Sequence, residues 1–239
     1  MPPQLLSFIK PDAGISFTPE STIERPEVGA WIAQCIACYS WVETQTSRLF
    51  SLLLGLNVEA GIELYIGFGA ASLKENGLRI LARSRLAPPD YAIIEALLKV
   101  IQSHQKIRDK IAHWYWGKSD QIGDGLILID PRYILLHDAR LADMRNANKR
   151  PTIDDVRYPM DKIYIYRIKD LQIDASSFCD LALLVNKCHG LCIRKGSELA
   201  RLRDELWSDS GTVSPIVNAA TQPADNPEPA ISTSIIYVA

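Results

Sequence analysis

The sequence predicts a mainly α-helical bundle with a small antiparallel β insertion before the last helix. Apolar residues recur at spacings of three and four through three long segments, residues 26–57, 88–115 and 171–207. Short runs rich in β-branched and aromatic residues are concentrated between residues 126 and 168. The 239 residues are 47% apolar and 23% charged, a composition that excludes collagenous, coiled-coil and wholly disordered proteins.

The charge balance and the cysteine content bound the class of protein. The chain carries 26 Lys and Arg against 28 Asp and Glu residues, which excludes an overtly basic nucleic-acid-binding protein but not a local basic cleft. The first ten residues lack the pattern of a secretory signal, and polar residues interrupt the most apolar stretch, residues 49–73. Five cysteines without an export signal favour reduced thiols. We expect a cytoplasmic protein with no membrane partner.

The first half of the chain predicts an arm followed by helices. Residues 1–25 are rich in proline without periodicity, so we expect an irregular N-terminal arm on the surface. A long helix is predicted from Pro26, which suits a first turn, to Asn57, which suits a helix end. Glycines within residues 59–69 predict a short helix, a bend and a close helix crossing, and residues 70–86 predict a helix with a basic, solvated face. The inward stripe of the first helix comprises Trp31, Cys35, Cys38, Val42, Gln45, Leu49, Leu52 and Leu56.

A second long helix is predicted after two consecutive prolines, with Asp90 as its N-cap. Its inward stripe continues to Tyr115 and includes His104 and Arg108 at positions where apolar residues are expected. Burying charge is costly unless the charge is paired or has a function. These two residues are therefore candidates for a functional site.

The remaining chain predicts a β insertion over about residues 122–168 and a final helical segment over residues 171–207. Strands are expected at residues 126–129, 133–136 and 163–168, with a turn at residues 130–132 and a mobile polar loop at residues 138–160. The helical domain as a whole is expected to span residues 26–207. Residues 208–239 are rich in Pro, Ser, Thr and Ala, carry three acids and no base, and predict a disordered acidic tail.

One motif near the end of the second long helix carries chemistry. Arg108 is followed by the polar Asp109 and, five positions after the arginine, by His113. On this motif, RDKIAH at residues 108–113, and on the order of helices around it, the sequence resembles the HEPN family. The resemblance implies a helical bundle, often homodimeric, that in many members is a metal-independent ribonuclease. It also implies that Arg108, Asp109 and His113 are catalytic, that RNA is the substrate and that no cofactor is needed.

The residue types suit RNA cleavage. An imidazole with an ordinary pKa of about 6.5 can take the proton of a ribose 2'-hydroxyl or protonate the leaving 5'-oxygen. The guanidinium of Arg108 is a permanently charged fork that matches phosphate oxygens. Asp109 lies four residues before His113, so its carboxylate can orient the imidazole or hold the guanidinium. The products would be a 2',3'-cyclic phosphate and a 5'-hydroxyl.

The spacing of the motif predicts a homodimer. Five residues at about 100° each place Arg108 and His113 about 140° apart around an ideal helix, so one helix cannot easily aim both at one target. Two copies related by a two-fold axis can bring both motifs to one cleft. A second copy of the spacing, Arg132 to His137, is rejected because it is expected in a strand, where the two side chains point to opposite faces, and because Tyr133 occupies the polar position.

Several interpretations stay open. His104, Lys110, Trp114 and Tyr115 are candidate substrate-binding residues, although aromatic residues at a helix end and a histidine in a helix interface are also typical of packing. Cysteines 35, 38, 188 and 192 with His189 suggest zinc only superficially, because their helical spacing is typical of small buried residues. We expect an endoribonuclease of the kind that acts as a toxin or defence effector and is held by an antitoxin or regulatory protein. The alternatives are a non-catalytic interaction or nucleotide-binding module and an enzyme of another class.

Overall fold

The computed structural model describes residues 3–208, apart from the side chains of residues 153 and 154. The predicted tail lies outside the described residues from residue 209 onward. The helices are α1 (Leu6–Ile9), α2 (Glu20–Ile23), α3 (Pro26–Leu54), α4 (Val58–Gly67), α5 (Ala71–Arg85), α6 (Pro88–His113), α7 (Pro131–Asn146), α8 (Ile153–Val156), α9 (Ile168–Cys188), α10 (Gly190–Ile193) and α11 (Gly196–Ser208). The strands are β1 (Gln4–Leu5), β2 (Tyr115–Gly117), β3 (Gly125–Ile129) and β4 (Ile163–Arg167). The predicted mainly α fold with a small antiparallel sheet is confirmed.

The core forms chiefly between α3 and α9, with α6 packed against both. The rings of Tyr39 and Phe178 meet edge to face at 5.3 Å. Near the other end of the same contact, Nε2 of the buried His189 donates to the carbonyl oxygen of Gln45. Because residue numbers rise together along both helices, α3 and α9 run in the same direction. The final helical segment, predicted as one unit, is divided into α9, α10 and α11.

The first long helix ends at Leu54, three residues before the predicted end. Gly55 adopts a left-handed conformation with φ 75°, and its N–H donates to the carbonyl oxygens of Ser51 and Leu52. Such a C-cap favours glycine, because a side chain is strained at positive φ. Asn57 instead caps the next helix, since its side chain accepts a hydrogen bond from the Ala60 N–H. The axes of α3 and α4 differ by 114°, and the two helices cross closely where Gly61 lies against Ser51. The close crossing predicted at residues 67–69 is not found there, because no heavy atom lies within 4 Å of a Cβ built at Gly67 or Gly69.

The second long helix begins at Pro88, and Ala87 is its N-cap. The prediction of Asp90 as the N-cap was wrong by three positions, because a proline at the first helical position supplies the start without a side-chain cap. Asp90 is buried and accepts two hydrogen bonds from the guanidinium of Arg203 in α11. This pair attaches the last described helix to the start of α6.

The four strands form one antiparallel sheet in the order β1-β4-β3-β2. Tyr115 was predicted on the stripe of the second helix, but it lies in β2 opposite Ile129, because α6 ends at His113. The prediction of a wholly irregular N-terminal arm was also wrong. Gln4 pairs with Ile165, and Leu6 is completely buried in a second apolar cluster with the outer face of the sheet.

The predicted strand at residues 133–136 is wrong, and so is the polar loop at residues 138–160. Residues 131–146 form α7, and residues 153–156 form α8. Asp130 caps α7, because its side chain accepts a hydrogen bond from the Arg132 N–H, and Pro131 lies in the first turn of α7. The Asp130-Pro131 sequence therefore starts a helix and does not form the predicted turn. The second Arg-to-His copy therefore lies on a helix. Arg132 and His137 are therefore not on opposite faces of a strand, as predicted, although Tyr133 still occupies the polar position of this copy.

Within residues 3–208, none of the helices taken singly has the length and apolar character needed to cross a membrane. α3 and α4 meet these criteria only as a pair, across the sharp bend between them.

Candidate functional site

The site is built around the last two turns of α6. One face of this helix enters the core through Ile94, Leu97, Leu98 and Ile111. This apolar face fixes the rotation of the helix, so Arg108 is directed toward α3 and His113 lies at the C-terminal end. The charged side chains of the motif are thus held at the edge of the core rather than inside it.

Arg108 is oriented by three neighbours. Its Nη1 donates to Oδ1 of Asp109 at 3.0 Å, and its Nη2 lies 3.9 Å from Oε2 of Glu43 in α3. The guanidinium stands 5.5 Å from the centroid of the Tyr39 ring, in a cation–π contact. Burial raises the pKa of Tyr39, so the ring offers an uncharged face. About a quarter of the Arg108 side chain, 26%, stays exposed and available to an anion.

Arg108 forms one wall of a polar cleft of about 280 Å³ between α3, α5 and α6. Two cations, Arg108 and Lys74, and two acids, Glu43 and Glu75, are among the residues that line this cleft. The Lys74 ammonium lies 4.9 Å from the Tyr65 ring centroid, so each cation stands over a tyrosine. Sequence reasoning found Arg108 but missed the other residues of the cleft, because no spacing along the chain pairs α3 or α5 with α6.

His113 is the last residue of α6 and is exposed. Among residues 3–208, no hydrogen bond or ion pair reaches its imidazole, and it is not among the residues that line the Arg108 cleft. The structure thus brings Arg108 and Asp109 together but leaves His113 apart from both, as the angle around the helix predicts. Of the two roles open to Asp109, the carboxylate holds the guanidinium.

The residues that follow His113 form an aromatic surface. Lys110 Nζ lies 5.3 Å from the ring centroids of both Trp114 and Tyr164. Tyr115 is half exposed and, with Trp114 and Trp116, lines a second groove of about 280 Å³ against the N-terminal arm. Of the predicted substrate-binding residues, Lys110 therefore contacts Trp114, and Trp114 and Tyr115 share a groove directly after His113 in the chain.

The fourth predicted substrate-binding residue, His104, is engaged within the bundle. Its Nδ1 donates to the Val100 carbonyl oxygen at 2.8 Å, and its Nε2 lies 2.7 Å from the Ser177 hydroxyl of α9. The imidazole also contacts the ring of Phe178. This geometry joins α6 to α9, and His104 is not part of the cleft lining.

The cysteines and His189 do not gather into a metal-binding cluster. Across the described residues, no group of three or more His, Cys, Asp or Glu side chains is arranged to hold a metal ion. Burial lowers the pKa of His189, whose Nε2 is directed to the Gln45 carbonyl oxygen, and burial raises the pKa of Cys188 to about 12. Both groups are uncharged packing elements at neutral pH.

The second Arg-to-His copy differs from the first in its contacts. Arg132 donates to both carboxylate oxygens of Asp130, whose pKa is lowered chiefly by these hydrogen bonds. His137 stacks on Tyr158 at 4.4 Å, and its Nε2 donates to the Val156 carbonyl oxygen. Both side chains of this copy are used within the insertion.

No protein-family model, curated protein or solved structure matches the chain.

Proposed function

We propose that the chain is a metal-independent endoribonuclease of the HEPN type that acts as a homodimer. The proposal rests on the contacts and the exposure of the two motif side chains, Arg108 and His113. The Arg108 guanidinium is oriented by an acid and a tyrosine at the wall of an open cleft, and the His113 imidazole is exposed and unbonded among the described residues. These are the anion-binding group and the proton-transfer group that RNA cleavage needs.

The dimer follows from the separation of these groups. About 140° of helix rotation divides Arg108 from His113 within one chain. Two α6 ends related by a two-fold axis would place two guanidinium and two imidazole groups around one phosphodiester. One imidazole takes the 2'-hydroxyl proton as the 2'-oxygen attacks phosphorus, and the other protonates the departing 5'-oxygen. The products are a 2',3'-cyclic phosphate and a 5'-hydroxyl, and Arg108 stabilises the charge on the phosphorus oxygens.

The aromatic surface beside His113 is proposed to hold the flanking nucleotides. Trp114 and Tyr115 offer faces on which bases stack, and Lys110 supplies a charge for the backbone. We propose no cofactor. A cytoplasmic location and restraint by an antitoxin or other regulatory protein belong to the same proposal, since an unrestrained ribonuclease damages its own cell.

The test is cleavage of a single-stranded RNA by the full chain in the presence of EDTA, with analysis of the product ends. We expect 2',3'-cyclic phosphate ends, and a rate that falls about 10²- to 10⁴-fold in His113→Ala. Arg108→Lys keeps the charge but loses the fork, so it should retain part of the activity that Arg108→Ala loses.

The second Arg-to-His copy supplies matched controls. Arg132 and His137 are the same residue types at the same spacing as Arg108 and His113. Arg132→Ala and His137→Ala should both cleave at the wild-type rate when circular dichroism shows a folded chain. Cleavage that survives in folded His113→Ala, or that requires a divalent metal, would remove the proposal.

A non-catalytic nucleotide-binding module is the second candidate. It is favoured by the composition of the Arg108 cleft, which has two cations over two tyrosines but lacks His113. Calorimetry with AMP and ATP, without RNA, distinguishes the two functions. Binding that is lost in Lys74→Ala, together with no RNA turnover, would favour this module.

A further inference from the structure

Two cysteines meet across the main helix pair of the bundle. The Cys179 thiol of α9 donates to the sulfur of Cys38 in α3, with the two Sγ atoms 2.9 Å apart. A disulfide bond is about 2.05 Å long, so the two sulfurs need to approach by less than about 1 Å. The neighbouring residues, Tyr39 and Phe178, already hold the two helices in contact at this level.

A groove gives access to this cysteine pair. Cys38 and Cys179 both line an open groove of about 470 Å³ between α3 and α9. Cys179 is partly exposed, and Cys38 is buried behind it. The Gln34 side chain, also in the groove, donates to the Cys38 sulfur at 3.2 Å. A small oxidant therefore reaches Cys179 first and has Cys38 directly behind it.

The other described cysteines lack this arrangement. Cys35 donates to the Leu171 carbonyl oxygen, and Cys188 is completely buried. Cys192 is partly exposed but does not line the groove.

We propose that Cys38 and Cys179 are a reversible redox site that forms an intramolecular disulfide with small disulfides such as oxidised glutathione. The Cys179 thiolate attacks one sulfur of the oxidant, which forms a mixed disulfide and releases one glutathione. The Cys38 thiolate then attacks the Cys179 sulfur, which forms the protein disulfide and releases the second glutathione. Two protein thiols are oxidised and one glutathione disulfide is reduced, and excess reduced glutathione reverses both steps.

The environment of Cys179 makes the first step dependent on pH. Burial, and then the contact with Cys38, raise the pKa of Cys179 to about 11. Only the thiolate attacks, so the rate should be slow at neutral pH and rise about tenfold per pH unit below the pKa. The bond joins positions 141 residues apart, so it restricts the unfolded chain strongly and should raise the unfolding temperature.

The test treats the folded full chain with oxidised glutathione and follows intact mass and tryptic peptides. The wild type should lose two hydrogens, with the peptides of Cys38 and Cys179 linked, and should recover its mass with excess reduced glutathione. Cys38→Ser should stop at the mixed disulfide and gain one glutathione moiety on Cys179. Cys192→Ser, which removes another partly exposed cysteine, should behave as the wild type.

Three results would overturn the assignment. They are a wild type that stops at a glutathione adduct, a linkage that involves another cysteine, and a folded chain that does not react between about pH 7 and 9. An unfolding temperature that is lower in the oxidised than in the reduced wild type would show that the bond strains the bundle and would equally reject it.

Discussion

The guanidinium of Arg203 donates to both carboxylate oxygens of Asp90, at 2.6 and 2.7 Å. Asp90 is only 3% exposed, so water competes little for its carboxylate, and the pair fixes α11 to the first turn of α6. A two-pronged bond of this kind restricts the angle as well as the distance between two helices. The pair therefore holds α11, at the end of the described chain, against the start of α6, the helix that carries the motif.

Removing the buried carboxylate should destabilise the bundle. Asp90→Ala leaves the buried space without its two hydrogen bonds, and we expect a loss of about 1–3 kcal/mol in the free energy of unfolding. The matched control is Glu205→Ala, which breaks the exposed pair with Arg201 in the same helix and should change stability by less than about 1 kcal/mol. Urea denaturation measures both. Equal effects of the two substitutions would show that the Asp90 pair is not special.

Mixing two inactive variants tests whether the proposed ribonuclease site is shared between subunits. Arg108→Ala and His113→Ala each lack one group in both copies, whereas their mixed dimer retains one guanidinium and one of the two proposed imidazoles in a common cleft, which restores the charge stabilisation and one of the two proton transfers. After unfolding and refolding together, the mixture should cleave RNA at least about tenfold faster than either variant alone. If each site is formed within a single chain, the mixed dimer will contain no complete site, and the mixture will be as inactive as its components. Mixing either variant with itself is the control.

The stability of the chain should fall as the pH rises from about 4 to about 6, because of Asp174. Burial, and then the neighbouring carboxylate of Asp170, raise the pKa of Asp174 from 3.8 to about 6. The folded chain therefore keeps a proton that the unfolded chain has released, and this contribution to stability is lost as the pH rises through the folded pKa.

Asp174→Asn should abolish this dependence. At about pH 7 we expect a gain of about 1–2 kcal/mol, discounted for solvent screening, and at about pH 4 no gain. Denaturation curves at both pH values measure the difference. Asp180→Asn, on the exposed side of the same helix, should have no comparable effect. A gain in Asp174→Asn that is the same at both pH values would contradict the assignment.

The crossing of α3 and α4 should not tolerate a methyl group. A Cβ at Gly61 would lie against the Ser51 side chain and 2.7 Å from its Cα, so Gly61→Ala should cost about 1–3 kcal/mol. Gly67, at the end of the same helix, has no heavy atom within 4 Å of an added Cβ. Gly67→Ala should therefore be neutral or stabilise by up to about 1 kcal/mol. Thermal unfolding of the two variants measures the contrast.

The long helices were predictable because local signals and packing agree. The stripes of α3 and α6 each combine an apolar period with a proline in the first turn. α3 starts at Pro26 as predicted, whereas α6 starts at Pro88, ahead of the predicted cap at Asp90. The insertion was less predictable. The run from Tyr133 to Leu136 has strand-like composition, but the cap at Asp130 and Pro131 starts a helix, and Leu135 and Leu136 are exposed on it.

The candidate site was predictable only within one helix. The motif identifies Arg108, Asp109 and His113, and the helical period correctly separates the first from the last. The contacts of Arg108 with Tyr39 and Glu43 depend on how α3 packs against α6. The meeting of Cys38 with Cys179 likewise depends on the α3–α9 pair. Such partners are chosen by tertiary packing, which no spacing along the chain encodes.

The pairing of Gln4 with Ile165 sets an order of assembly during synthesis. The first strand leaves the ribosome early, yet its hydrogen-bonding partner is made about 160 residues later, which takes about 10–30 s at 5–20 residues per second. Until then β1 has no strand to pair with, and the apolar cluster around Leu6 lacks Ile163 and Ile165. Closure of the sheet by β1 is therefore a long-range event that waits for the translation of β4.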